Sequence, residues 1–309
     1  MRRLSDFLAL LLIAFSCSPA GALLIAEESF DYPNDSTALE GLAGGMGWSP
    51  PWGDGDGGFA GRVKNDEVGP SRNSFPFSTA GDRLLGSGGG EAIRNFNGGI
   101  DLSKNRQTIY ASLMISKQNG AASPDNVELD LGQDGSSTIR FGSGSDEAFF
   151  LGSSAVTSAG NGIFMTTGQA YFIVLKVTSN AGVAGNDLLQ MAFYGPGDTV
   201  PQFEPVTWGL TNDSNINSNA ILNSVRLVTG NSTLSAEFDE IRVGYAWGSV
   251  TNPSFIPGDF NGVNGLDPSD YFILRNNMFT GTTYAQGDYD GSGLTDFRDF
   301  IFFREAWNA

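Results

Sequence analysis

The sequence predicts a mainly β chain, a large antiparallel sandwich that gives way to a small α-helical module at the C-terminus. Two observations predict it. Short runs of Val, Ile, Phe and Leu are separated by Gly, Ser, Thr and Asn clusters, and the chain holds 42 glycines in 309 residues, a rhythm of strands and turns that marks all-β domains. Past Gly258 the rhythm changes. An oxygen-rich loop runs into an apolar, aromatic stretch ending in arginine, and the same pattern starts again at Gly287, as one supersecondary unit used twice.

Taken in order, Arg2 and Arg3 stand before an uncharged run at 7–15, and Ala20-Gly21-Ala22 supplies the small residues after which a signal peptidase cuts. Residues 1–22 are therefore expected to be a signal peptide that sends the chain out of the cell or to its surface. The run is too short to span a bilayer, and nothing later is long enough either. Strands are expected at 108–115, 127–131, 137–141, 148–152, 170–178, 188–194, 223–229 and 235–244. The stretch at 170–178 is apolar on both faces at its centre, which places it in the middle of a sheet. Phe238 and Ile241 are out of step with period-two alternation, and a bulge between them would return both to the core. Pro253 and Pro257 mark 251–257 as a linker, leaving 23–250 to the sandwich and 258–309 to the module.

Charge and composition then exclude whole classes of function. A net charge of −17 disfavours nucleic acid and anionic membrane surfaces as partners. There is no histidine, and the one cysteine, Cys17, falls in the expected leader. Disulfides, thiol nucleophiles, Ser-His-Asp triads and histidine-held zinc are thereby ruled out for the exported chain. Any metal must be held by oxygen, which suits calcium.

The repeated loops supply such oxygens. A twelve-residue calcium loop takes side-chain oxygens from positions 1, 3, 5, 9 and 12, a main-chain carbonyl from 7, and a sharp turn at 6. In loop two these are Asp288, Asp290, Ser292, Asp296 and Asp299, with the Leu294 carbonyl at 7 and Gly293 at the turn. In loop one Asp259, Asn261, Asp267 and Asp270 fall on 1, 3, 9 and 12, with Gly265 at 7, but Val263 stands at 5 where an oxygen belongs. Asn264 replaces the turn glycine and tolerates the positive φ required there. Two calcium ions are expected, the one near Asp288 bound more tightly. The alternative is that Asp- and Gly-rich turns merely solvate a tail.

Aspartate at position 12 of both loops, with a single helix after each, resembles a type I dockerin, the EF-hand-like module of secreted bacterial polysaccharide-degrading systems. The resemblance implies calcium, helices from about Asp270 and about Asp299, and a cohesin-like protein partner. Loop positions 10 and 11 are Pro268 and Ser269 in one copy but Phe297 and Arg298 in the other, so the two faces are not equivalent. The preceding domain is similar to concanavalin A-like, or laminin-G-like, jelly-roll β-sandwiches, through Glu-Glu-Ser-Phe-Asp-Tyr-Pro from Glu27, Gly-Gly-Met-Gly-Trp-Ser-Pro-Pro-Trp from Gly44, the hairpin at 171–194 and the closing Glu-Phe-Asp-Glu-Ile-Arg-Val-Gly from Glu237. That family implies two antiparallel sheets and, in many members, carbohydrate bound by loops or a concave face.

Glycosidases on this fold carry an E-x-D-x-x-E pattern on one strand. Glu128 and Asp130 fit its first two places, but Gln133 fills the third, and an amide has no titratable proton to give a departing sugar oxygen. Asp134 could substitute only on a differently bulged strand. The sandwich is therefore expected to be non-catalytic, with a polysaccharide hydrolase using Glu128 and Asp130 as the alternative. Trp48 and Trp52 are candidates for stacking on sugar rings, against a core role for both; Trp208 is ambiguous in the same way. Asp54, Asp56 and Asp66 read as solvated turns, and 86–90 lacks the strand and helix that a phosphate loop requires. The expected function is binding and assembly: recognition of a polysaccharide or cell-surface glycan by the sandwich, with a calcium-dependent docking module behind it.

Overall fold

A computed structural model of the chain describes residues 24–33, 38–55, 60–64, 75, 82–104, 106–119, 126–133, 136–144, 147–153, 162–183, 186–214, 216, 221–230 and 235–308. The expected leader, Asp56, Asp66 and Asp134 lie outside them. Among the described residues no helix is long and apolar enough to cross a membrane.

Among the described residues fourteen strands form two antiparallel sheets. One contains β1 (Leu24–Glu28), β3 (Arg62–Lys64), β4 (Arg83–Ser87), β6 (Thr108–Asn119), β10 (Ala170–Thr178), β11 (Asp187–Tyr194), β12 (Leu210–Ser214) and β14 (Ser235–Gly244). Its path runs β12-β11-β10-β6-β14-β4-β3, with β1 sharing an edge of β14 with β4. The other contains β2 (Gly53–Asp54), β5 (Gly90–Asp101), β7 (Val127–Gln133), β8 (Ser136–Ser143), β9 (Phe149–Ser153) and β13 (Ile221–Thr229), in the order β2-β5-β13-β7-β8-β9.

The alternation read from the sequence becomes the core. Ile109, Ala111, Leu113 and Ile115 of β6 share one buried cluster with Leu129 and Leu131 of β7, Phe141 of β8 and Val225 and Leu227 of β13. The two sheets therefore face one another as a sandwich, and each fully buried aliphatic side chain contributes roughly 1.5–3 kcal/mol. Strand β10 sits inside its sheet, paired with β6 and β11. It is apolar on both faces for a reason: Ile173 and Leu175 enter the sandwich core, while Phe172 and Val174 join a second cluster on the outer face with Tyr110, Trp247 and Val250. The bulge in β14 is present as a register shift between Asp239 and Arg242, with Glu240 at φ +50°, and it buries both Phe238 and Ile241 completely. The glycine-rich stretch at 86–90 is the β4–β5 turn.

The first residue of 251–257 lies inside a helix. Helix α1 (Trp247–Thr251) continues directly from β14, and Thr251 is buried. Ser112 Oγ donates to the Val250 carbonyl over 2.8 Å and Thr251 Oγ1 to that of Trp247 over 2.9 Å, so the start of 251–257 belongs to the sandwich surface. Two further helices, α2 (Pro268–Asn276) and α3 (Phe297–Trp307), follow the repeated loops. Both begin two residues before the expected points, because each is opened by a capping box. Asp267 and Asp296 accept from the backbone N–H groups of Ser269 and Arg298, while Asp270 and Asp299 reach back to the cap residues' own N–H groups. A reciprocal cap of this kind sets the first turn. The module's core is Phe260, Leu274, Tyr289 and Phe303 with Ala246 of the sandwich. The second residue of each loop, Phe260 and Tyr289, thus anchors it, the two rings meeting edge to face at 6.2 Å.

Candidate metal centre

Loop two is built by its glycines and its backbone donors. Gly287, Gly291 and Gly293 all take positive φ, at +91°, +68° and +81°, conformations that side chains resist. The turn so made points N–H groups inward. Asp288 Oδ2 accepts from Gly293 N at 2.8 Å and Asp290 Oδ1 from Ser292 N at 3.1 Å. Asp299 Oδ1 accepts from Tyr289 N and Asp290 N at 2.8 and 3.1 Å, and its Oδ2 from Asp296 N at 2.7 Å.

These bonds bring Asp288, Asp290 and Asp299 together, with one carboxylate oxygen of each lying within 4.8 Å of the others. Asp288 and Asp299 are buried. Burial first, and then the charge of Asp290, pushes Asp288 from 3.8 up to about 6 and Asp299 up to about 7. Asp288 Oδ1 is buried and has no hydrogen-bond partner among the described residues. A hard divalent cation fits this set: three convergent carboxylates, one with an unspent buried oxygen, and a further pair of oxygens, Ser292 Oγ and the Leu294 carbonyl, 3.3 Å apart. Arg298 Nε lies 3.2 Å from Asp290 and offers that carboxylate a competing, exposed partner. Asp296 stands apart from the cluster as the helix cap.

Loop one repeats the scaffold with less charge. Asp270 accepts from Phe260 N, Asn261 N and Asp267 N at 2.8, 3.2 and 2.9 Å, the same three bonds that Asp299 receives. Burial, and secondarily Asp259, raises the Asp270 carboxyl. Asp259 Oδ1 and Asn261 Oδ1 both accept from Val263 N, at 3.2 and 2.7 Å. Asn264 takes the turn at φ +65° and Gly265 follows at +72°. Asn261 is neutral and Val263 is exposed, so this loop offers two carboxylates, Asp259 and Asp270, where loop two offers three. Asp267, like Asp296, caps its helix.

The sandwich candidates are placed differently. Glu128 and Asp130 lie on the face of β7 opposite the core, yet both are 1% exposed. Arg140, across the hairpin on β8, donates to both oxygens of Glu128 at 3.0 and 2.7 Å, and its Nε lies 4.0 Å from Asp130. Arg226 on β13 approaches Asp130 at 3.9 Å from the other side. Gln133 is exposed. Here the carboxylates are committed to ion pairs. Sequence reading missed Arg140, although the hairpin register that sets it opposite Asp130 follows once both strands are recognised.

Trp48 and Trp52 are core residues, 8% and 2% exposed. Trp48 stacks on Phe96 at 5.4 Å and Trp52 on Phe30 at 6.0 Å, and the Arg94 guanidinium lies 5.3 and 5.6 Å from their rings. Their indole N–H groups donate to the Glu27 carbonyl and to Glu28. Glu28, buried between the sheets, pairs with Arg94 and accepts from Tyr32 Oη at 2.8 Å. Trp208 packs edge to face on Trp247 at 5.9 Å. Asp54 is exposed at the end of β2.

No family model matches the sequence, and no curated protein does. Among solved structures the chain is similar to an endo-β-1,4-glucuronan lyase from the fungus Trichoderma reesei, at TM-score 0.44 and 10% identity over 70% of this chain and 98% of that one. It is also similar to a Lotus tetragonolobus seed lectin, at 0.36 and 7% over 61% and 93%, and to the Emp46p carbohydrate recognition domain, at 0.36 and 11% over 68% and 97%.

Proposed function

We propose that this chain is an exported, non-catalytic carbohydrate-binding protein whose C-terminal module is organised by calcium and docks the sandwich to a protein partner. The convergence of Asp288, Asp290 and Asp299 supports the metal reading above all. A bound cation supplies the positive charge that buried, clustered carboxylates otherwise lack, and in a module with so small a core such binding adds directly to folding stability. Loop one takes a second ion more weakly, through Asp259, Asn261 and Asp270. The partner type that fits a duplicated loop-and-helix module is cohesin-like. The sandwich acts by binding: Glu128 and Asp130, the candidate carboxylates on β7, are buried and faced by Arg140 and Arg226, whereas glycoside hydrolysis needs two carboxyls facing a bound sugar.

Calorimetric titration of the full chain with calcium tests the module. Asp288→Ala or Asp299→Ala should weaken the tighter site by at least tenfold, and Asp259→Ala should weaken only the looser one. Equal losses from all three, or no heat at millimolar calcium, would overturn the reading. Binding to an oligosaccharide array, with release of reducing ends followed in parallel, tests the sandwich; turnover of any bound polysaccharide would restore the hydrolase alternative.

A further inference from the structure

A cavity of about 500 Å³ opens where the sandwich meets the module. The sandwich side supplies Tyr110 and Trp247, and the module side supplies Phe255 and Tyr284. Its size falls inside the roughly 300–1,000 Å³ range of small-ligand sites. The walls are held in place. Trp247 Nε1 donates to the Pro201 carbonyl at 2.9 Å, and Gly258 N donates to Tyr284 Oη at 2.7 Å. Gln202 Nε2 reaches from the sandwich to the Gly262 carbonyl of loop one at 2.8 Å, and a Cβ at Gly262 would come within 1.9 Å of that nitrogen. A Cβ at Gly248 would lie 2.3 Å from the Phe255 ring. The Phe255 ring therefore leaves no room for a side chain at Gly248, whereas the flexible end of Gln202 could give way at Gly262.

The polar groups facing this space define a ligand chemistry. Glu204 is fixed by Tyr110 Oη at 2.7 Å and by Lys176 Nζ, so its charge is already balanced. Asn252 accepts from Ser254 N through Oδ1 at 2.9 Å, and its Nδ2 has no partner among the described residues. Asp259 of loop one completes the set. None of the described residues lining the cavity is Lys or Arg, and the chain carries a net charge of −17, which repels an anionic ligand. Aromatic faces joined to a few convergent acceptors and an amide donor suit a ring with a C–H face and a hydroxyl rim.

We infer that this junction cavity is a binding site for a short, neutral saccharide, with the exposed Phe203 and the half-buried Tyr284 as apolar walls and Glu204, Asn252 and Asp259 as hydroxyl partners. The inference rests on the carbohydrate-binding reading above and gives it a location that neither Trp48 nor Trp52 provides. Because Asp259 belongs to loop one, occupancy of the cavity and of that loop are linked, and each alters the affinity of the other by the same factor.

The test uses the full chain at saturating calcium against neutral gluco-, xylo-, manno- and galacto-oligosaccharides, oligouronates and a cationic amino-sugar oligomer, read by array and by intrinsic tryptophan fluorescence. Neutral probes should bind, and Ala285→Phe, at an exposed lining position, should weaken them at least tenfold. Asn252→Ala, which adds no bulk, should weaken them several-fold and serves should the first variant misfold. Neutral binding unchanged by both variants overturns the cavity while leaving the carbohydrate reading intact. Binding confined to uronates or amino sugars overturns the ligand class, and a blank array overturns both readings.

Discussion

On the calcium reading proposed above, proton and calcium would compete for the same carboxylates in loop two, with opposite effects on stability. Burial and neighbouring charge raise Asp288 from 3.8 to about 6 and Asp299 to about 7. A carboxyl raised on folding binds its proton more tightly in the native than in the unfolded chain. Native-state proton uptake thus exceeds unfolded-state uptake between about pH 4 and pH 7, and stability in chelator falls as pH rises through that window. For Asp288, which is 2% exposed, a displacement of about two units corresponds to about 3 kcal/mol. Calcium reverses the slope. On that reading the deprotonated carboxylates are the binding form, so stabilisation by calcium should grow with pH and reach about 2.7 kcal/mol at a concentration a hundredfold above Kd. A module of this size should shift by roughly 4–8 °C per kcal/mol. Melts followed by the helical circular-dichroism band, at about pH 5 and about pH 7.5 with chelator or calcium, should give Tm falling with pH in the first case and level or rising in the second. General charge repulsion in so acidic a chain has the same sign as the chelator effect, so the double variant Asp288→Asn, Asp299→Asn is the control. A slope in chelator that the double variant leaves intact would refute the assignment to this cluster.

Arg94→Ala strands the buried Glu28 carboxylate, and loss of one partner from a buried ion pair costs about 3–5 kcal/mol; urea denaturation that registers less than about 1 kcal/mol would show that Tyr32 and Trp52 suffice to hold Glu28. Gly291→Ala places a Cβ 2.9 Å from the Thr108 carbonyl and 3.1 Å from that of Tyr245, at φ +68°, so it should loosen the module by roughly 1–3 kcal/mol and speed its proteolysis relative to the sandwich. Unaltered cleavage would mean that loop two is not bound closely to β6. Glu128→Gln keeps the shape of the side chain but gives up the pair with half-exposed Arg140, and a loss of about 1–3 kcal/mol without change in glycan binding is expected. Hydrolytic activity present in the parent and abolished in the variant would contradict the non-catalytic reading.

What the sequence discloses is what is encoded over short spans. Period-two alternation in 108–115 and 127–131 identifies strands and their core faces, and the mismatch between Phe238 and Ile241 announces a bulge, because both depend only on neighbours along one strand. The gathering of Asp288, Asp290 and Asp299 is legible for the same reason, since all three fall within twelve positions. Helix starts shift by two residues because Asp267 and Asp296 serve as caps, a role their spacing from Asp270 and Asp299 already allows. Contacts between distant segments are not legible. Whether Trp52 is platform or core turns on Arg94 and Phe30, which meet it only when two sheets close. Strand β5 hides behind Gly98 and Gly99 and an inward-facing Arg94 that breaks its apolar pattern. The attachment of loop two to the sandwich joins Gln107 to Asp290 across 183 positions.

That attachment bears on how three carboxylates come to share so small a volume. Like charges do not gather by mutual attraction, so their convergence must be imposed by groups around them. Five backbone N–H groups, of Tyr289, Asp290, Ser292, Gly293 and Asp296, each donate to one of the three side chains. The loop that carries those donors is itself tied to the sandwich: Thr108 N donates to the Gly291 carbonyl at 2.8 Å and Gln107 Nε2 to that of Asp290 at 3.3 Å. Thr108 is the first residue of β6, which lies between β10 and β14 in its sheet, and the rigidity of that strand is therefore lent to the loop. Ordering of the chain is completed by folding and need not be supplied when a cation binds, which is how preorganisation raises affinity. Among the described residues loop one has no such tie to a central strand; Gln202, an exposed residue on a connecting segment, joins it to the sandwich. The difference in affinity between the loops should accordingly exceed what the exchange of Ser292 for Val263 alone accounts for, and Val263→Ser should recover only part of it in a calcium titration.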